Sequence, residues 1–123
     1  MAVLTIEELL QKKDILTGRK TETFAIDVKD IGEFRFRIPT LSDIDDANAF
    51  MDGKDTDAYL VNACVVEPRF SDERMREVYG VSTGIDVVKE IFLGGEIQAI
   101  SNELVRKAGY SSNLVKVVEQ VKN

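Results

Sequence analysis

Histidine and tryptophan are absent from this 123-residue chain, cysteine occurs once and proline twice. Without histidine the chain lacks the side chain that most often serves as general base or metal ligand near neutral pH. Catalytic triads built on imidazole and the usual zinc sites are excluded. A lone cysteine, Cys64, cannot form an internal disulfide, a usage that fits a reducing cytosol. It lies in the apolar run Leu60 to Val66, where a buried thiol acts as a small hydrophobe rather than a nucleophile. Eight glycines and two prolines among 44% apolar residues rule out collagen-like, low-complexity and disordered classes.

Long apolar runs are also missing. The longest charge-free stretch, Ala58 to Val66, has nine residues, whereas a membrane-spanning helix needs about 20. The N-terminus has neither the basic start nor the apolar core of a signal peptide. The expected location is the cytoplasm, with no membrane partner.

Positive charge is scarce too: 16 basic against 22 acidic residues give a net charge of −6. Residues 43 to 57 hold six aspartates and one lysine, so almost all of the excess is local. A nucleic-acid binder needs a basic stripe to neutralise phosphates, and none is present. The aspartates Asp52, Asp55 and Asp57 do not have calcium-loop spacing, because Leu60 or Asp57 falls where the loop needs glycine. A solvated acidic segment, an acidic docking patch and a cation site remain as readings of it. Gly94-Gly95 lacks the lysine and strand context of a phosphate loop and reads as a helix boundary. No cofactor is expected.

What is present is alternating periodicity. Thr5 and Glu8 have capping-box spacing and open a helix from about Ile6 to Lys12, extendable to Leu16, with Gly18 as stop. From Thr21 the period becomes two: Phe24, Ile26 and Val28 share a side, as do Phe34, Phe36 and Ile38 after a turn. These runs predict an antiparallel hairpin ended by Pro39, with Arg35 and Arg37 facing outward. Two strands alone are marginal, so the apolar face must rest on the helices that follow. Those are expected at Thr40 or Ser42 to Met51, about Thr56 to Val66, Ser71 to Tyr79, Thr83 to Leu93, Ile97 to Gly109, and Leu114 to Val121.

The fold expected is α+β, an N-terminal antiparallel β-hairpin packed on a mostly helical domain of five to six short helices. One domain spans 1–123: a helix and linker (1–20), the hairpin (21–38), a helical part (40–110) and a C-terminal amphipathic helix (111–123). In that last helix Leu114, Val117, Val118 and Val121 recur at helical spacing and Val115 widens the stripe. These five are the candidate partner-binding residues, with closure of the domain's own core as the other reading.

The stretch Leu60-Val61-Asn62-Ala63-Cys64-Val65-Val66-Glu67-Pro68-Arg69-Phe70, with Glu77-Val78-Tyr79-Gly80-Val81, resembles the XkdN-like family of phage tail assembly chaperones. So do Gly95-Glu96-Ile97 with Ala99-Ile100-Ser101, and the closing Ala108-Gly109-Tyr110. The resemblance covers about residues 12 to 110; the N-terminal helix and the segment after Tyr110 match nothing in it. It implies a non-enzymatic protein of a phage or prophage that binds the tape measure protein, keeps it soluble, recruits tail tube subunits and is absent from the finished particle. Self-association is compatible with it, and some such chaperones also occur in a longer, frameshifted form. A head-tail connector retained in the virion and an acidic protein-interaction adaptor are the alternatives, while a DNA mimic would need carboxylates spread over a whole face.

Overall fold

The computed structural model describes residues 3–111 and 113–118. Chain order is α1 (Ile6–Gln11), α2 (Lys13–Gly18), β1 (Thr23–Val28), β2 (Gly32–Arg37), α3 (Leu41–Ala49), a 3-10 turn (Phe50–Gly53), α4 (Thr56–Cys64), β3 (Val65–Glu67), α5 (Glu73–Tyr79), α6 (Gly84–Ile91) and α7 (Gly94–Lys107). The α+β class holds, with seven α-helices among the described residues and a three-stranded antiparallel sheet in the order β1-β2-β3.

Local chemistry starts and stops the helices. Thr5 caps α1 with both bonds of a capping box, as its spacing with Glu8 requires. Thr40 and Asp43 form a second box at α3, and Thr83 accepts from the Asp86 amide at α6. Asp72, not Ser71, caps α5 by accepting from the Arg74 amide at 2.9 Å. Gly80 ends α5 at φ 66. That left-handed turn lets the Val81 and Gly80 amides bond the carbonyls of Arg76 and Glu77, the paired bonds of a Schellman motif. Gly94-Gly95 forms the first turn of α7, so the boundary falls just before the pair.

The hairpin pairs Phe24 with Phe36 and Ile26 with Phe34, placing the aromatic face on the helices. Two sequence expectations fail at its neighbour. The helix expected to reach Val66 ends at Cys64, and Val65–Glu67 forms β3, paired to Phe36 and Arg35 of β2 across a register irregularity. Val65 and Val66 are β-branched and precede Pro68, which disfavours helix on both counts. Sheet pairing outcompetes another half-turn of helix.

The core is one cluster. Phe36, Val61, Cys64, Val87, Val88 and Leu104 are fully enclosed in it, and Phe34, Phe70 and Phe92 meet at centroid distances of 5.4 to 5.7 Å. Helix α4 is its axis, touching α3, α6 and α7, and buries Ala58, Leu60, Val61 and Cys64. A helix enclosed on several sides needs apolar residues around much of its girth rather than a single stripe. Gly84 marks the tightest approach: a Cβ there would lie 2.2 Å from Asn62 Oδ1 and 2.9 Å from the Ser71 amide nitrogen.

The C-terminal expectation is corrected. Asn113–Val118 carries no helix; the four β-branched valines of the predicted helix (115, 117, 118 and 121) and its length of about ten residues give too little intrinsic stability without a cover. Val121 lies outside the described residues.

Candidate functional site

The acidic segment is the first place to look for chemistry, and its aspartates are dispersed among structural tasks. Asp43 accepts from the Thr40 amide at 2.8 Å and forms a two-armed ion pair with Arg37, whose Nη2 reaches Oδ1 at 3.1 Å. The same Nη2 donates to the Ala63 carbonyl at 2.9 Å, so one guanidinium ties β2 to the start of α3 and the end of α4. Hydrogen bonding from Arg37 holds the Asp43 carboxyl down to about 2 and raises the guanidinium itself. Arg37 was expected to face outward. It lies half-buried because Asp43 of α3 and the Ala63 carbonyl of α4 both accept hydrogen bonds from its guanidinium.

Farther along, Asp55 accepts from Lys89 Nζ at 3.0 Å, and Asp57 from the buried Ser101 Oγ at 2.7 Å. Lys89 is raised by the Asp55 hydrogen bond. Asp52 and Asp55 hold left-handed backbone, at φ 59 and 56, which aspartate tolerates better than most residues. Together Asp55, Asp57 and Lys89 line an open surface depression of about 500 Å³ with Phe92 and Ile97. Asp52 is not brought into it, and among the described residues no cluster of three metal-ligating side chains forms. Cys64 is enclosed, and burial pushes its thiol up to about 12, far from the thiolate that nucleophilic chemistry needs.

Apolar surface is the remaining feature. Leu114, Val115, Val117 and Val118 are 62%, 84%, 75% and 71% exposed. Four uncovered aliphatic side chains thus lie within five residues of one another, outside the core cluster. Val3, Leu4, Ile6, Leu9, Leu10 and Ile15 form a second exposed set at the other end, on and before α1 and α2, helices that bury no residue.

The family model for the phage XkdN-like tail assembly chaperone protein matches residues 45–122. The chain belongs to that family. No curated protein and no solved structure matches it. The matched span begins inside α3, leaving the hairpin outside, and runs past Tyr110 to take in the apolar C-terminal segment, which the sequence phrases alone did not reach. Membership gives this tail assembly chaperone a role in phage tail assembly, which is not an enzymatic one, and protein partners in that process. Among the described residues no helix is long and apolar enough to cross a membrane.

Proposed function

We propose that this tail assembly chaperone binds the tape measure protein in the host cytoplasm, keeps it soluble and recruits tail tube subunits to it, and is left out of the finished particle. A tape measure chain is long, helical and apolar, and before a tube surrounds it the exposed stripe aggregates. The observation that carries this reading is the uncovered group Leu114, Val115, Val117 and Val118 inside the family span. With Val121, these residues have the spacing of an amphipathic helix that forms when it meets an apolar partner. The order of events is folding on the client.

Co-expression with the cognate tape measure protein tests this. The full chain should raise the client's soluble yield, and a chain truncated after Tyr110 should melt near the parent temperature while losing that effect. Equal client solubility with and without the full chain refutes the chaperone reading. Recovery of the protein from purified virions would identify a connector instead.

A further inference from the structure

Strand β1 is an outer strand of the sheet. Among the described residues Thr23 to Asp27 make no backbone hydrogen bond outside the β1-β2 ladder, so the N–H and C=O groups aimed away from β2 are unpaired. Exposed edges are usually blunted by proline, lysine or a bulge, and this one carries only Asp27. That aspartate stands directly opposite Glu33 of β2, a like-charge pair that costs stability. Among the described residues the ion pairs of the sheet's outer face engage Arg35 and Glu67 and leave both carboxylates out. A second unpaired segment leaves the body close by. Lys107, the last residue of α7, holds its Nζ 5.3 Å from the centroid of the Phe24 ring on β1, and Gly109 turns the chain off the helix at φ 96. The six residues from Ala108 to Asn113 extend to about 20 Å, against ~17 Å for the six residues of β1. Leu114 to Val118 therefore reaches any part of the free edge, and it has the composition of a strand: three of its five residues are β-branched, with Lys116 between Val115 and Val117.

We propose that Asn113 to Val118 docks on the free edge of β1 in its own chain, as a fourth strand parallel to β1, and that an apolar client displaces it. Alternation and charge fix the register. With Lys116 beside Asp27 on the outer face, its ammonium meets the Asp27–Glu33 carboxylates, and Leu114 lies beside Ala25. On the inner face Val115 then meets half-buried Ile26 and Val117 meets Val28. Asn113 stands level with Phe24, at the end of the edge where α7 delivers the chain. The antiparallel arrangement with the same ion pair sets charged Glu119 against Phe24, and sliding the parallel strand by two residues takes Lys116 away from Asp27 and puts Val118 there. The edge gains a ladder of backbone hydrogen bonds and the segment gains a cover. The exposed Leu114, Val115, Val117 and Val118 described above belong to the open form. Docked strand and client compete for the same residues, so the segment is withheld from weaker apolar surfaces. That consequence rests on the client-binding reading; the docking itself does not.

The test is a disulfide within one full chain, read on a denaturing gel. Ala25→Cys with Leu114→Cys brings opposed residues within disulfide reach, and mild oxidation should link them. Ala25→Cys with Val118→Cys sets the sulfurs about 13 Å apart and should link at least about tenfold more slowly. Cys64 is buried and does not compete. Asp27→Lys faces Lys116 with a like charge and should slow the link between positions 25 and 114 about fivefold; adding Lys116→Asp should restore it. Amide exchange reads the edge without cysteines: the outward N–H groups of Thr23–Val28 should exchange about tenfold faster once the chain is truncated after Tyr110. Equal linking at 114 and 118, a disulfide that joins two chains, indifference to Asp27→Lys, or edge amides unchanged by truncation overturns the proposal. The oxidised protein linked between positions 25 and 114 should lose its effect on client solubility and regain it on reduction. A link that forms in a chain with no effect on the client sinks the client reading and leaves the docking standing, whereas a solubilised client with no link sinks the docking alone.

Discussion

Replacing Arg37 by alanine should cost this small domain a large part of its stability, although the residue alternates with the apolar face of a surface hairpin. The guanidinium makes a two-armed ion pair with Asp43 and a hydrogen bond to the Ala63 carbonyl at the end of α4. The hydrogen bond from a charged donor contributes about 1.5 to 3 kcal/mol where its acceptor is shielded. The ion pair adds nearer 1 kcal/mol, because the guanidinium side remains open to water. Allowing for overlap between the two, a loss of about 2 to 3 kcal/mol is expected, a fall of roughly 10 °C in melting temperature. Arg37→Lys should recover only part of it, since an ammonium cannot span both acceptors in one plane. Acid supplies a second axis. Asp43 titrates at about 2 against an ordinary 3.8. A lowered carboxylate contributes stability that is complete above the ordinary value and fades as pH falls toward the native one. The gap between parent and Arg37→Ala should therefore be constant above about pH 4.5 and narrow between pH 4 and pH 2. Chemical denaturation followed by circular dichroism at several pH values measures this. A loss under about 0.5 kcal/mol at pH 7, or a gap indifferent to acid, would show that the clamp does not hold the three elements together.

Phe36 is wholly enclosed and faces Phe24 at a centroid distance of 6.4 Å, so Phe36→Ala should cost about 3 to 5 kcal/mol in the same assay; a cost below about 1 would mean the hairpin face is not core. Gly84→Ala inserts a methyl where Asn62 can swing aside but the Ser71 backbone cannot. It should destabilise by about 1 to 3 kcal/mol despite alanine's better helix propensity, and a stabilised variant would contradict that packing.

Legibility of the fold in the sequence followed the range of the interactions involved. The Thr5 box and the Gly80 stop are each decided within six residues and the hairpin within Thr23 to Arg37, and each stands where its local chemistry puts it. Strand β3 is different. Leu60 to Val66 is a short apolar run that suits helix or strand alike, and what divides it after Cys64 is the edge of β2, some 30 residues earlier in the chain. Arg37 was misread for the same reason: alternation says which side of the strand it leaves from, not that Asp43 and the end of α4 wait there. The absence of helix over 113–118 has yet another origin, since spacing records what a segment can become against a partner and not what it is without one. As for the site, the exposed residues Leu114, Val115, Val117 and Val118 were visible as a pattern.

The triangle of Phe34, Phe70 and Phe92 has one corner on β2 and two beyond residue 45, on opposite sides of the point where the family span begins. Strand β3 likewise lies inside that span while its only partner, β2, lies outside it. Shared descent and foldability therefore draw different borders in this chain. A fragment beginning at residue 45 would bring Phe70 and Phe92 to the surface and leave β3 with no strand to pair with, so it should bind hydrophobic dyes and collapse without a cooperative transition. In a chimera between relatives, the hairpin and Val65–Phe70 travel as one cassette; a crossover between them separates rings that were fitted to each other.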